Sequence, residues 1–179
     1  VYGTRNSVLT VSHCTVYAPP LEVTKTAEAS FVRTWHWDID KSADPAVLDL
    51  FNGQTGTTSY DVVVTKTGYT DSDWAVSGTI TIDNPGLYFP AHITGVTDVI
   101  SVGLAAVVDC GVSFPYDLAA GQSLVCTYSR ALPDGTNRTN TATVTTTGVV
   151  QGDSGTAPVT FGAPTTVVDD SVNVTDSVQ

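Results

Sequence analysis

The chain is built from short runs in which apolar and polar residues alternate, and turn residues separate these runs. The segments "NSVLTVSHCTVY" (6–17), "TSYDVVVTKTGY" (58–69) and "SLVCTYSRAL" (123–132) show the pattern. Alternation with a period of two places successive side chains on opposite faces of a β-strand. The connections "NPG", "PDG" and "NGQTG" contain the residues that tight turns favour. The sequence therefore predicts many short strands joined by turns.

About ten such strands, roughly 8 to 14 residues apart, predict an all-β fold, an antiparallel β-sandwich of immunoglobulin type. Only 14% of the residues are charged, and Thr, Val, Ser and Gly are abundant, which favours strands over helices. We predict an N-terminal strand extension over residues 1–29, the sandwich over 30–162 and a C-terminal strand over 163–179. Since 41% of the residues are apolar, the chain can fill a core.

The net charge limits the classes of partner. Eighteen Asp and Glu residues against seven Lys and Arg residues give −11, which repels nucleic acid phosphates and anionic lipid headgroups. No apolar run approaches the roughly 20 residues that span a bilayer, and the N-terminus lacks a basic and apolar leader. We expect no nucleic acid partner, no membrane insertion and a mature, soluble product. The acidic, Thr-rich composition is typical of secreted surface proteins.

Two cysteines bracket a turn-rich segment. Cys110 and Cys126 flank "GVSFPYDLAAGQSLV", so neighbouring strands would bring them face to face. A disulfide between them predicts an oxidising, extracellular compartment, and the alternative is two buried free thiols. Cys14 is left over, either buried or bonded to another chain.

The last segment of the chain needs a sheet to join. In "TTVVDDSVNVTDSVQ" the apolar side chains of Val172, Val174 and Val178 share one phase. An unpaired apolar strand exposes both its backbone and its side chains, and proteins seldom leave such an edge open. The segment therefore either folds back on its own sandwich, giving an enlarged monomer, or completes the sheet of a neighbouring copy as a donor strand.

Three motifs resemble a known type of domain. The patterns "W-x-I-x-K", "L-x-x-G-x-S-L-x-C-x-Y" and "N-T-A-T-V" are similar to the tandem Ig-like repeats of large bacterial cell-surface proteins, over residues 21–178. This resemblance implies a non-enzymatic protein without cofactors that forms stalks, adhesins, coats or filaments. This sequence contains a single repeat with flanking strands instead of an array, so it is either a polymer subunit or a piece excised from a longer protein.

A lysine at an unusual place suggests a specific site. Lys41 shares a strand phase with Trp35, Trp37 and Ile39, and Asn140 shares one with Ala142 and Val144. In Gram-positive pilin and collagen-adhesin domains, which this arrangement resembles, a buried lysine amine attacks an asparagine carboxamide to form an internal isopeptide bond.

Such a reaction needs apolar surroundings, which favour the neutral amine, and a protonated acid close by. Trp35, Trp37 and Tyr60 would supply the surroundings, and Asp98 is the candidate acid, since it shares a phase with Val96 and Ile100. The alternate phase of that strand is nearly as apolar. The alternative is that Lys41 ends a strand with its amine in water and that Asn140 simply begins one.

Other patterns predict no further chemistry. "SHC" (12–14) and "GDSG" (152–155) resemble protease motifs, but only 12 residues precede His13 and Thr156 follows the second motif. The spacing of the three histidines predicts no metal site.

Two functions fit the sequence. The first is a structural subunit of an extracellular filament or surface array, assembled head-to-tail from copies of itself by strand complementation. The second is an adhesin or carbohydrate-binding module, in which Trp74, Tyr69 or Tyr88 would stack on surface glycans.

Overall fold

The computed structural model describes residues 16–175, which form two packed β-sheets and contain no helix. The prediction of an all-β sandwich is confirmed for this part of the chain. His13, Cys14 and Val178 lie outside the described residues.

Eleven strands follow one another along the described chain. They are β1 (Glu22–Lys25), β2 (Glu28–Asp44), β3 (Ser59–Asp83), β4 (Ala91–Ile100), β5 (Leu104–Ala105), β6 (Val107–Asp109), β7 (Tyr116–Leu118), β8 (Ser123–Ala131), β9 (Arg138–Thr147), β10 (Ser154–Val159) and β11 (Thr166–Val168).

The first sheet has the strand order β11-β2-β3-β8-β6, and β1 pairs with β3 beyond the start of β2. The second sheet has the order β10-β9-β4-β5, and β7 pairs with the other end of the β4 edge. All pairs among these strands are antiparallel except that of β11 with β2.

The core lies between the inner faces of the two sheets. Alternate residues of β3 and β4 point into it, and the largest fully buried side chains include Ile80, Ile82, Ile93 and Ile100. An aromatic cluster closes one end, where the Phe31 ring stacks on Trp74 at 4.3 Å and Phe161 meets Trp74 edge-on at 4.8 Å. Alternation along the strands thus builds one continuous core.

Beyond the aromatic cluster, the hairpin of β2 and β3 leaves the sandwich. Residues 35–44 pair only with residues 59–69 among the described strands, so this part is a two-stranded ribbon. We call residues 35–69 the distal hairpin. The second sheet does not extend over the distal hairpin. The face of the ribbon that continues the core-facing face of the first sheet is therefore partly exposed.

The prediction that Lys41 is buried is wrong for this reason. Lys41 does share a face with Trp35, Trp37 and Ile39, as predicted, because these residues alternate along β2. Lys66 Nζ lies 3.9 Å from the centre of the Trp35 ring and 5.1 Å from that of Trp37. The face is uncovered at that point, so Lys41 is exposed, and its Nζ lies 4.5 Å from the centre of the Tyr60 ring. The predicted strand phase was right, but a strand phase does not show how far the second sheet extends.

The C-terminal segment returns to its own sheet. Thr166–Val168 form β11, parallel to Val32, Arg33 and Thr34 of β2. The chain then runs along the distal hairpin, where the Asp169 carbonyl accepts a hydrogen bond from Trp37 Nε1 at 2.7 Å. Val172 and Val174 line a groove with Trp37, Ile39 and Val64. The exchange of this segment between copies stays a prediction.

The predicted disulfide between Cys110 and Cys126 is present. It ties the segment that follows β6 to the middle of β8, and Cys126 belongs to the buried core. Because the two cysteines enclose a loop of about 15 residues, the bond restricts the unfolded chain by roughly 3 kcal/mol on the loop-entropy model.

We therefore expect the double substitution Cys110→Ala, Cys126→Ala to lower the free energy of unfolding by about 3 kcal/mol. Chemical denaturation monitored by tryptophan fluorescence measures this change. Treatment of the double variant with a reductant is the control and should cause no further loss. Equal stability of the variant and the oxidised wild-type protein would contradict the expectation.

Candidate functional site

A lysine enters the core from the first described strand. Leu21, Val23 and Lys25 share one phase, and Leu21 and Val23 are buried. The backbone of Lys25 pairs with Ile80 of β3, so its side chain follows the two apolar ones toward the second sheet. The side chain of Lys25 is fully enclosed, with 0% exposed.

Two contacts hold β1 in this position. The backbone N–H of Val23 donates a hydrogen bond to Asp153 Oδ2 at 3.2 Å. Gly155 of β10 lies so close to β1 that a Cβ at that residue would be 2.5 Å from the carbonyl oxygen of Val23. Only glycine allows this approach, because no real Cβ comes so close to an oxygen.

The second sheet supplies an acid and an amide that face Lys25. Asp98 lies on β4 and is 2% exposed, and Asn140 lies on the neighbouring strand β9 and is completely buried. Asn140 pairs with Ile100 and Asp98 pairs with Ala142, so the two polar side chains lie one step apart on the same inner face.

The three side chains meet in one contact. Lys25 Nζ lies 2.5 Å from Asp98 Oδ1, and Asn140 Nδ2 donates a hydrogen bond to Asp98 Oδ2 at 2.9 Å. Because the two oxygens belong to one carboxylate, the lysine amine and the asparagine carboxamide are held next to each other. We call Lys25, Asp98 and Asn140 the buried triad.

Apolar and aromatic groups surround the buried triad. The ring of Tyr128 lies under the amine, with Lys25 Nζ 4.0 Å from its centre, and its hydroxyl donates to the carbonyl of Thr26 at 2.6 Å. Asn140 Oδ1 has no hydrogen-bond partner among the described residues. A buried polar atom without a partner is costly, so its retention needs an explanation.

Burial also changes the protonation of the site. Removal from water lowers the pKa of Lys25, and the hydrogen bond and charge of Asp98 oppose this effect. Burial likewise raises the pKa of the Tyr128 hydroxyl. The lowered pKa brings the amine of Lys25 closer to its neutral, nucleophilic form.

The triad can perform one reaction with its own atoms. Asp98 touches both the amine and the amide, so it is placed to accept a proton from Lys25 and to pass one to Asn140. A neutral amine beside a carboxamide in apolar surroundings is the arrangement that amide exchange requires.

The sequence identified two members of the triad and missed the third. Asp98 and Asn140 face each other in the core as predicted, whereas Lys41 lies in the distal hairpin and does not join them. The sequence analysis did not identify Lys25, although this residue follows Leu21 and Val23 in one strand phase, as Lys41 follows the apolar residues of its own strand.

The remaining predicted residues have other surroundings. Asp153 of the protease-like "GDSG" accepts a hydrogen bond from the Val23 backbone, which is a structural contact. Trp74 is packed between Phe31 and Phe161, and Tyr69 lies beneath Arg33, whose guanidinium carbon is 3.7 Å from the ring centre.

Within residues 16–175, no group of three or more His, Cys, Asp or Glu side chains could hold a metal. No helix in this range is long and apolar enough to cross a membrane.

Comparisons with protein-family models, curated proteins and solved structures found no match to this chain.

The close approach of β10 to β1 can be tested by adding a single methyl group. Gly155→Ala should lower the free energy of unfolding by about 1 to 3 kcal/mol, because its Cβ would overlap the Val23 carbonyl oxygen and push β1 outward. Gly162→Ala is the matched control, since its Cβ would meet no atom within 4 Å. Thermal unfolding of both variants measures the difference. Equal melting temperatures would mean that β1 is not held by this contact.

Proposed function

We propose that this chain is a structural subunit of an extracellular filament or cell-surface array, in which an immunoglobulin-like sandwich is locked by an amide bond between Lys25 and Asn140. The observation that carries the proposal is the buried triad, in which one carboxylate holds an amine and a carboxamide side by side between the two sheets.

The cross-link forms in balanced steps. Lys25 passes a proton to Asp98, which leaves a neutral amine and a protonated acid. Rotation of the Asn140 carboxamide turns its unpartnered Oδ1 toward Asp98, which polarises the carbonyl. The amine attacks Cγ of Asn140 and the new C–N bond forms. Asp98 gives its proton to the departing amide nitrogen and takes the surplus proton of the attacking amine, the old C–N bond breaks, and ammonia leaves. No other reactant or cofactor is needed.

The position of this bond suits a chain under tension. Lys25 lies at the end of β1, and Asn140 lies on β9, which is followed only by β10 and β11 in the described chain. Force applied along the chain would pass from β1 through the amide directly to β9. Residues 26–139 would carry no load, and the sandwich could not be pulled open. This mechanical arrangement favours a fibrous or stalk-like role.

The cross-link would also stabilise the fold at rest. A bond that closes a loop of roughly 100 residues lowers the entropy of the unfolded chain by the equivalent of about 4.7 kcal/mol. It would remove the buried ammonium charge as well, and an unneutralised buried ion costs several kcal/mol. Both effects suit a protein exposed to harsh surroundings outside the cell.

The C-terminal segment supplies a means of assembly by strand complementation. Only three residues of β11 pair with β2, and Val167, Val168, Val172 and Val174 are all more than a third exposed. A segment with so short a strand pairing could leave its own sheet and complete the edge of a neighbouring copy, with main-chain hydrogen bonds supplying the affinity.

The alternative, an adhesin or a carbohydrate-binding module, has less support. Of the three aromatic residues considered for it, Trp74 is packed in the aromatic cluster and Tyr69 is covered on one face by Arg33. Tyr88 remains, exposed on a loop. It shares a shallow cleft with the exposed ring of Tyr17, but none of the described residues that line this cleft has a charged or amide side chain to bind sugar hydroxyls.

Intact-mass spectrometry of the reduced protein tests the cross-link. We expect the wild-type mass to be lower than the sequence mass by one ammonia, and a linked peptide pair containing Lys25 and Asn140 after digestion. The variant Lys25→Met should show the full sequence mass, because it has no amine in the core. Asp98→Asn should also show the full mass, because both reactants remain but the proton carrier is lost.

Lys41→Met is the matched control for these variants. It removes a lysine from the exposed face of the distal hairpin and should leave the loss of ammonia unchanged. A wild-type protein with the full sequence mass would contradict the cross-link, and so would a mass deficit that disappears in Lys41→Met.

Electron microscopy of the protein from its producing cells tests the filament. We expect long regular fibres, and we expect a chain shortened to residues 1–165 to form none, because it lacks the complementing strand. The shortened chain should retain the loss of ammonia, which shows that its sandwich is folded. Dispersed single particles of the wild-type protein, or fibres formed equally well by the shortened chain, would contradict assembly by strand complementation.

A further inference from the structure

Two dipeptides of the described chain place a carboxamide or a carboxylate directly before a glycine. Asn52 precedes Gly53 at the tip of the distal hairpin, and Asp134 precedes Gly135 in the turn between β8 and β9. In such a pair the backbone nitrogen of the glycine can attack the side-chain carbonyl carbon before it, because glycine has no Cβ to block the approach. The surroundings of the two pairs differ.

The pair at the tip of the distal hairpin lies in an open turn. The N–H of Gln54 donates a hydrogen bond to the carbonyl of Phe51 at 3.0 Å, so Asn52 and Gly53 occupy the two central positions of the turn. Both residues are exposed. Gly53 has a φ of +88°, and a Cβ built on it would meet no atom within 4 Å. No neighbouring group therefore crowds the glycine nitrogen.

The peptide group between Asn52 and Gly53 is also able to rotate. A positive φ at the third residue is the mark of a type II turn, and rotation of the central peptide group converts this turn into type I. Glycine accepts both signs of φ, so the rotation costs little. Rotation about the Cα–C bond of Asn52 swings the nitrogen of Gly53 toward the side-chain Cγ, which is the atom that it would attack.

The second pair lies in a closed turn. The Asp134 carboxylate accepts hydrogen bonds at 2.8 Å from the N–H of Thr136 and from Nη2 of Arg138. The hydrogen bonds from Thr136, followed by that from Arg138, lower the pKa of Asp134 to about 2, so the carboxylate stays ionised and is a poor target for attack. A Cβ at Gly135 would lie 2.5 Å from the Trp74 ring, so packing against the aromatic cluster holds this glycine in place.

The other asparagines within residues 16–175 lack the conditions for the reaction. Asn84 is buried and precedes a proline, whose nitrogen carries no hydrogen and cannot attack. Asn140 is completely buried in the triad. Asn137 and Asn173 are exposed, but an arginine and a valine follow them, and these side chains crowd the backbone nitrogen.

We propose that Asn52 is a site of spontaneous deamidation and that the fold protects Asp134 from the corresponding isomerisation. The nitrogen of Gly53 attacks Cγ of Asn52 and a cyclic imide closes. The bond from Cγ to the amide nitrogen breaks, and ammonia leaves with the proton that the Gly53 nitrogen loses. Water then opens the ring at either of its carbonyl carbons, which gives aspartate or isoaspartate. Water is the only other reactant, and no electrons are transferred.

The reaction changes the tip of the distal hairpin and leaves the sandwich as it is. Each event replaces a neutral carboxamide by a carboxylate, which adds a negative charge to a chain whose net charge is −11. The new charge stands next to Phe51, which is 82% exposed. Isoaspartate also carries the main chain through its side-chain carbon, which lengthens the backbone of the turn. The apolar tip therefore becomes more acidic as the protein ages.

Peptide mapping by mass spectrometry tests the site in the full chain, before and after long incubation at mildly alkaline pH. We expect the peptide that contains Asn52 to gain the mass difference between water and ammonia and to separate into aspartate and isoaspartate forms. Isoelectric focusing of the intact protein should show a new, more acidic band. No residue of the buried triad takes part, so the result is independent of the proposed cross-link.

Two variants block the reaction and one is a matched control. Asn52→Gln should show no gain in mass, because its longer side chain would have to close a larger ring. Gly53→Ala should slow the gain several-fold, because its Cβ shields the attacking nitrogen. Asn137→Gln is the control, since it alters another exposed asparagine in a turn, and it should deamidate at Asn52 as the wild-type protein does. Thermal unfolding checks that each variant is folded.

Incubation at mildly acidic pH, with and without urea, tests the protection of Asp134. We expect isoaspartate at this residue only in urea, because unfolding removes its hydrogen bonds and the packing of Gly135. Isoaspartate that forms at Asp134 equally fast in the folded protein would overturn the protection. An Asn52 peptide that keeps its mass in the wild-type protein, or that gains mass no faster than the Asn137 peptide, would overturn the proposed site.

Discussion

The structure depends on a lysine side chain that is buried between two β-sheets. An ammonium ion in an apolar core is tolerated only when a counter-charge and hydrogen-bond partners are fixed beside it. Lys25 has such a partner in Asp98, which Asn140 holds in turn. The contact of these three side chains fixes the alignment of β1, β4 and β9, because a shift of one residue in any of these strands would turn its polar side chain out of the core. The triad thus fixes the register between the two sheets as well as being the candidate site.

The molecule divides into a closed part and an open part. Around the triad the two sheets cover each other, the disulfide ties β8 to the neighbouring segment, and glycine allows β10 to approach β1 closely. Beyond the aromatic cluster the distal hairpin continues with no second sheet over it. The C-terminal segment is held there by the short strand β11, the hydrogen bond from Trp37 to Asp169 and the ion pair of Lys66 with Asp170. A closed part that resists unfolding and an open part that needs a partner suit a subunit that bears load and joins its neighbours.

Much of this architecture could be predicted from the sequence, because alternation and turns depend on local physical chemistry. The strands follow from alternation, the Cys110–Cys126 pairing follows from the turn-rich segment between the two cysteines, and the inward direction of Asp98 and Asn140 agrees with their predicted strand phase. The position of the lysine did not follow, because phase tells which face a side chain is on but not whether another sheet covers that face. Lys25 and Lys41 both follow apolar residues in phase, and only the extent of the second sheet separates them. The parallel pairing of β11 with β2 was likewise hidden, because it joins residues far apart in the chain.

The central claim is that Lys25 and Asn140 are one covalent unit in the mature protein. A high-resolution electron density map of the crystallised protein tests it most directly. The account predicts unbroken density from Lys25 Nζ to Asn140 Cγ, with the Asp98 carboxyl group beside the new amide. Two separate side chains, with a free ammonium resting on Asp98 and an intact carboxamide on Asn140, would contradict it.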